Sequence, residues 1–310
     1  MNVNHEPVLL TQFVEFIKSS GFADEAIRVA DCTLGLGGYS EEILKTFPKA
    51  QVYALDRDLR AVEISKARFL GSFDRASRFR ALHGNFGEVG EILGEFAPFD
   101  VLVFDLGVSN MQLAEAERGF SFQNDGPLDM RMDPQEGNRT AADVLSALTA
   151  AELAEIFWLY GEERFSRRIA QGIEEHRRRG EPLNTTGELV ELIRDILPAP
   201  VQRKMGTHPA RRVFQALRIY VNDELGELEA ALASIKKIAS PGAIVAIVSY
   251  HSLEDRIVKH VFRAWEREEK WGYALTKRPV LPDTEEIERN YKARSAKLRV
   301  FQFSTRDRWR

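Results

Sequence analysis

At 310 residues the chain suits one large domain carrying an insertion, or two domains, and is far too long to need disulfide or metal staples. Hydrophobic residues make up 44%, charged residues 29% and aromatic residues 10%, which supplies a core and excludes wholesale disorder. Lysine and arginine number 43 against 47 acids, a net charge of -4, so any surface for an anionic partner has to come from local clustering.

Cys32 is the only cysteine, which rules out an internal disulfide or a multi-cysteine zinc site and fits a reducing compartment, so a cytoplasmic protein is expected. The longest apolar run, 243–248, falls far short of the ~20 residues that span a bilayer, and the first residues are polar. Neither a membrane span nor a secretion signal is expected.

In chain order, a first helix is expected over 11–20, closed by Gly21. A short buried strand over 27–33 then runs into Gly35, Gly37 and Gly38. A helix over 40–47 stops at Pro48, a strand over 52–55 ends on Asp56, and a helix follows over 59–69. A strand over 79–83, a polar helix over 88–96 and a strand over 101–104 ending on Asp105 continue the alternation. Strand and helix in this rhythm define an α/β fold with a parallel sheet covered on both faces.

The rhythm breaks after Val108 and resumes with an apolar strand over 243–249, behind the stop signal Pro241-Gly242. Between them, capping boxes at Thr149/Glu152 and Thr185/Glu188 and helical periodicity over 155–160, 165–175 and 189–197 mark a helical insertion. Its expected span is 113–211, leaving 1–112 and 212–310 to the sheet domain. A long helix over 210–238 leads back to the sheet, a last strand covers 297–303, and the basic end after Ser304 is expected to be loosely ordered.

In an open parallel sheet, ligands bind beyond the carboxyl ends of the strands, and the first strand-to-helix turn does most of the cofactor work. Here that turn is Asp31-Cys-Thr-Leu-Gly35-Leu-Gly37-Gly38-Tyr39-Ser40. Glycines admit a ligand close to the main chain, the helix start favours electronegative groups, and Asp56 sits where a carboxylate accepts from ribose hydroxyls. The spacing is Gly-x-Gly-Gly and not Gly-x-Gly-x-x-Gly, which disfavours a nicotinamide dehydrogenase and favours S-adenosylmethionine, a cofactor without a pyrophosphate.

The strings His5-Glu-Pro-Val-Leu9, Asp105-Leu-Gly-Val-Ser-Asn110-Met-Gln112, Arg118-Gly-Phe-Ser-Phe122, Pro127-Leu-Asp-Met-Arg-Met-Asp133, Gly161-Glu-Glu-Arg-Phe165, His208-Pro-Ala-Arg-Arg-Val-Phe-Gln-Ala-Leu-Arg218 and Ser249-Tyr-His-Ser-Leu-Glu-Asp-Arg256 cover almost the whole chain. Together they closely resemble the bacterial 16S ribosomal RNA (cytosine-N4)-methyltransferase family (RsmH/MraW). The resemblance implies a class I, Rossmann-like, S-adenosylmethionine-dependent methyltransferase fold with an inserted all-helical subdomain for RNA recognition. It implies methylation of the N4 amine of a cytosine in the decoding region of 16S rRNA, within the small ribosomal subunit. Matched position by position, the family's cofactor contacts fall on Gly37, Gly38, Tyr39, Asp56, Phe86, Asp105 and Gln112. This chain departs from the family pattern at Tyr39 (usually histidine), at Asn110-Met111 (usually Ser-Pro) and at Tyr250 (usually phenylalanine).

Asp105, His251 and Asp255 are the catalytic candidates. Asp105 ends a strand beside the crevice. His251 and Asp255, four residues apart, would share a helix face there; a local capping and hydrogen-bonding pair is the bland alternative. Asp125, Asp129 and Asp133 suit a hard cation, but Arg131 among them offers an ion-pair partner and methyl transfer needs no metal, so none is expected. RNA phosphates call for cations: no acid lies between Asp195 and Asp223, where Arg203, Lys204, Arg211 and Arg212 stand, with further zones at Arg164 and Arg168 and at Arg294 and Lys297. Phe214 and Tyr220 are candidates for base stacking, although six residues apart they do not share a face, and core packing is expected of at least one. A noncatalytic RNA-binding assembly factor that retains the fold is the alternative function. A homodimer is compatible with the sequence.

Overall fold

The computed structural model describes residues 7–22, 25–71, 73–137 and 139–305. His5 and Glu6 of the opening string, and the basic end from 306 onward, lie outside them. The chain divides into two compact units, Met1–Gly107 with Leu225–Arg310, and Val108–Glu224, so the helical unit is wider than the 113–211 expected from periodicity.

Among the described residues the first unit is built on seven strands: β1 (Arg28–Asp31), β2 (Gln51–Asp56), β3 (Phe79–His83), β4 (Phe99–Asp105), β5 (Ala239–Ser249), β6 (Gly272–Ala274) and β7 (Lys297–Phe303). Their order is β3-β2-β1-β4-β5-β7-β6. The first five pair in parallel, and β7 runs antiparallel to both β5 and β6. Successive side chains alternate between faces: Val101, Val103, Ile244 and Ala246 enter one buried cluster, while Leu102, Phe104, Val245 and Ile247 enter another. Both faces are therefore apolar, which is why these strands read as continuous hydrophobic runs.

Three expectations are corrected. Pro241-Gly242 does not precede the fifth strand but lies inside it. The β4–β5 register shifts between Phe99/Ala239 and Val101/Ile244, and Gly242 takes φ +83, so the pair marks a bulge. The expected helix over 210–238 is two, Arg211–Asn222 and Glu224–Ile238, separated at Asp223, whose φ of 49 is a left-handed conformation that aspartate tolerates. The expected helix over 88–96 is one turn, Val89–Ile92, between the 3-10 turns Phe86–Glu88 and Gly94–Phe96. Gly90 is needed there because a Cβ would stand 2.7 Å from that of Ser234.

The second unit is helical. Seven helices, from Asn110–Ala114 to Arg211–Asn222, are described in it. Phe157, Ile169, Leu189, Ile193 and Leu217 are among its fully buried residues. The capping boxes at Thr149/Glu152 and Thr185/Glu188 are formed, with two more at Thr140/Asp143 and Ser109/Gln112. Arg131 clasps Asp129 through two 2.7 Å contacts, as its place among the acids suggests, while Asp133 caps Gln135 and Asp125 accepts from the Gly187 N–H.

Candidate active site

Parallel pairing brings the carboxyl ends of β1, β2 and β4 to one edge of the sheet, and each ends in an aspartate: Asp31, Asp56 and Asp105. The sheet order turns back between β1 and β4, the switch point at which open sheets bind ligands. Asp31 is buried and accepts from the Ser40 hydroxyl at 2.6 Å, which ties the end of β1 to the helix Gly38–Thr46. The glycine turn crosses between them. The Gly35 N–H donates to Asp56 Oδ2 at 2.6 Å, the Leu34 N–H to the Leu55 carbonyl at 2.9 Å, and the Ser65 hydroxyl to the Gly35 carbonyl at 3.0 Å.

Gly37 caps the helix with φ +78, and a Cβ on it would stand 2.8 Å from the Phe69 ring. Gly35, at φ +52, has open space among the described residues where its Cβ would be. The turn is thus packed on its Gly37 side and open on its Gly35 side. Gly38 and Tyr39 stand in the first helical turn, whose N–H groups have no intrahelical acceptor. The Tyr39 side chain is not free to serve: it is buried, edge-on to Phe13, and its hydroxyl donates to the Val8 carbonyl. Only its backbone is left for a ligand. Phe86 follows Asn85, whose side chain caps the turn after β3, and packs edge-to-face on Phe104 with its ring half-buried.

Asp105 is fixed from two directions. Its N–H donates to the Thr33 hydroxyl at 2.6 Å, and its Oδ1 accepts from the Tyr250 hydroxyl at 2.7 Å. Burial pushes its carboxyl up to about 7, against the pull of the Tyr250 hydrogen bond and the Lys292 charge. Burial likewise raises Asp31 and Asp56 to about 6, partly offset by the Ser40 hydroxyl and main-chain N–H groups on Asp31 and by the Asp58 and Gly35 N–H groups on Asp56. Three carboxyls poised near neutrality along one edge suit a ligand with hydroxyls and positive charge. Each Asp56 oxygen accepts one main-chain N–H and keeps a further lone pair for a ribose hydroxyl.

His251 and Asp255 do not share a helix face. His251 is the N-cap of the helix Ser252–Arg267, with extended backbone, and forms a capping box with the buried Glu254, whose Oε1 lies 3.1 Å from His251 Nε2. Asp255 turns to β7, meeting Arg299 Nε at 2.6 Å and Lys297 Nζ at 3.4 Å. Although burial opposes it, the Arg299 contact holds the Asp255 carboxyl below its ordinary value. Lys297, expected to face RNA, is thereby engaged within its own unit, while Arg294 is exposed and donates to the Tyr291 hydroxyl. The sequence carries no signal that singles out Asp31, Thr33 or Glu254, and it marks Tyr250 only by its departure from the family pattern.

In the helical unit, Gln112 is buried and its side chain accepts from the Ser109 N–H within the capping box. Arg164, Arg168, Arg203, Lys204, Arg211 and Arg212 are all exposed, Arg212 donating to the Glu162 carbonyl. Phe214 is 3% exposed and belongs to the core, whereas Tyr220 is 39% exposed.

The sheet order, with one antiparallel strand slotted between β5 and β6, is not the all-parallel 3-2-1-4-5-6 of dinucleotide dehydrogenases. With the glycine turn and the acid ending β2, it defines a class I methyltransferase. The chain belongs to the MraW methylase family, whose model matches residues 2–304. Its methyl donor is S-adenosylmethionine, which the open Gly35 turn and the Asp56 carboxylate fit. It is similar to the ribosomal RNA small subunit methyltransferase H of Synechococcus sp. (strain JA-2-3B'a(2-13)), at 44% identity over 96% of this chain and 91% of that protein. The proteins of the same name from Streptomyces avermitilis and Halothermothrix orenii are 43% and 41% identical, over 96% of this chain in each case and 96% and 98% of theirs.

Proposed function

We propose that the protein methylates the N4 amine of a cytosine in the decoding region of 16S rRNA, within the small ribosomal subunit. The observation that carries the reading is the Asp105 carboxylate, held by Tyr250 at the sheet edge where the methyltransferase fold binds its cofactor. The names of the relatives at 41–44% identity support the rRNA substrate.

Gly37, Gly38 and the Tyr39 backbone, with Asp56 and Phe86, would hold S-adenosylmethionine, which supplies an electrophilic methyl group when bound. Cytosine N4 is a weak nucleophile because its lone pair is shared with the ring. Asp105 accepts a hydrogen bond from this amine, favouring a pyramidal nitrogen and stabilising the positive charge that grows on it. Tyr250 fixes the carboxylate and Thr33 the main chain that carries it, so the acid need not reorganise, and alignment supplies much of the rest. A carboxyl poised at about 7 can also take the proton that the methylated nitrogen sheds.

The test is incubation with isotopically labelled S-adenosylmethionine and small subunits lacking the modification, followed by mass spectrometry of the nucleosides. Labelled N4-methylcytidine is expected. Label on another base, or RNA binding without transfer, would overturn the reading.

A further inference from the structure

We propose that Arg194 and His208 form a phosphate-binding site on the helical unit, which takes a backbone phosphodiester of the RNA substrate. The inference rests on the reading of the protein as an rRNA methyltransferase and adds a ligand site to it.

His208 is held by its surroundings. Its ring stacks on Phe122 at 4.6 Å and 14°, and Phe122 is in turn wedged edge-on by Phe214. Both ring nitrogens then face hydrogen-bond donors: the Ala210 N–H lies 3.3 Å from Nδ1, and Arg194 Nη2 lies 3.0 Å from Nε2. A neutral imidazole has one lone pair and one N–H, and a guanidinium never accepts. Whichever nitrogen carries the proton, one donor is therefore turned against another. Protonation deepens the conflict, and burial together with the Arg194 charge holds the ring below the usual imidazole range.

An anion resolves this. With Nδ1 accepting from Ala210, the Nε2–H and the Arg194 guanidinium are two donors whose nitrogens stand 3.0 Å apart, and one phosphate whose oxygens accept from both, drawing the Nη2–H off the ring nitrogen, satisfies the two together. The surroundings agree. Among the described residues, no carboxylate pairs with Arg194, Arg203, Lys204 or Arg211, and all four are exposed. Gln202 anchors this segment by donating to the Arg194 and Leu197 carbonyls at 2.7 Å, and the Arg211 N–H donates to the His208 carbonyl. Three cations with no ion-pair partner among the described residues thus stand in the same short segment as the conflicted pair. That is the pattern of a surface complementary to a polyanion, not of a helix solvated by its own salt bridges.

Full-length protein carrying Arg194→Gln or His208→Phe tests the site; the second keeps a ring over Phe122 and removes both nitrogens. Binding of a fluorescent 16S decoding-region fragment should weaken about ten-fold in each. In Arg194→Gln the slope of log affinity against log salt should fall by about 0.7 to 0.9, the loss of one phosphate contact. KM for small subunits should rise while kcat and affinity for S-adenosylmethionine stay as in the wild type, which also reports that the variants are folded. RNA affinity and salt slope unchanged in Arg194→Gln would overturn the inference, as would a wild type that binds no RNA. A wild type that binds the fragment but transfers no methyl group would overturn the proposed activity and leave the site standing.

Discussion

The Tyr250 hydroxyl donates to Asp105 Oδ1 at 2.7 Å, so an aromatic residue from the end of β5 orients the acid that ends β4. Where the family resemblance calls for phenylalanine, this chain has a hydroxyl that stabilises the carboxylate form. Burial has pushed that carboxyl to about 7, and removing the hydroxyl by Tyr250→Phe raises it further. A hydrogen bond to a charged group contributes about 1.5 kcal/mol or more, so the acid limb of kcat/KM should move to higher pH by about one unit. A limb that stays in place would show that Asp105 is not the group titrating in the rate.

Gly35 and Gly37 separate the two jobs of the turn. Gly37→Ala combines a left-handed backbone with a Cβ 2.8 Å from the Phe69 ring, and should cost about 2–3 kcal/mol of stability. Gly35→Ala meets no neighbour among the described residues and carries only the conformational strain, about 1 kcal/mol, yet its methyl projects into the space open to a ligand. Calorimetry should show the larger fall in melting temperature for Gly37→Ala. Titration should show an affinity loss in Gly35→Ala out of proportion to its stability; full affinity there would mean the cofactor does not approach this turn.

The parts of this site that were readable in the sequence are those signalled by neighbours in the chain. Asp56 follows an apolar strand some 20 residues after the glycines, and Asp105 repeats the pattern. Tertiary relationships were less legible. Pairing His251 with Asp255 on one face assumed that both were helical, but His251 is a cap with extended backbone, so helical spacing starts at Ser252 and Asp255 turns to a strand more than 40 residues away. Glu254 is not legible in the sequence because a histidine at the cap hides the usual Ser/Thr-x-x-Glu signal. Pro241-Gly242 read as a stop because the β5 bulge depends on register with β4, and register is invisible in one strand.

Asp255 should behave as a structural acid. Its partner Arg299 has a side chain 9% exposed, and Asp255→Ala leaves that guanidinium buried without its carboxylate, at a cost of about 3 kcal/mol. Because the folded-state carboxyl lies below its unfolded value of 3.8, its contribution is present above that value and lost as pH falls through the folded one. Urea unfolding should therefore show a wild-type advantage over Asp255→Ala at pH 7 that shrinks below pH 4. Turnover per folded molecule should be preserved; a loss of turnover without loss of stability would restore Asp255 as a catalytic candidate.

In the helical unit, Asn222 is 2% exposed and clamps the loop after Leu128: its Oδ1 accepts from the Met132 N–H at 2.8 Å, and its Nδ2 donates to the Met130 and Arg218 carbonyls at 2.7 and 2.9 Å. Asn222→Leu keeps the bulk but strands a main-chain donor and acceptor, costing about 2–4 kcal/mol. Hydrogen exchange should show the loss of protection concentrated at Met132. Uniform loss across the unit would mean that the side chain matters for volume and not for its hydrogen bonds.

The three sheet-edge carboxyls link cofactor binding to pH. Asp31 and Asp56 are raised from an ordinary 3.8 to about 6 and Asp105 to about 7, with burial the main cause in each. A carboxyl raised in the folded state gives stability that is fully present below its unfolded value and lost as pH rises through the folded one, so the ligand-free protein should lose stability between about pH 4 and 7. A bound cation reverses the preference: S-adenosylmethionine carries one more positive charge than S-adenosylhomocysteine, favours the ionised carboxylates, and so releases protons on binding. Its affinity should rise about ten-fold from pH 5.5 to pH 8 and then level off, with a shallower rise for S-adenosylhomocysteine. Calorimetry in buffers of different ionisation enthalpy counts the protons directly. Equal pH slopes for the two ligands would mean that the sulfonium charge does not sense these carboxyls, and the acids would then act only through their hydrogen bonds.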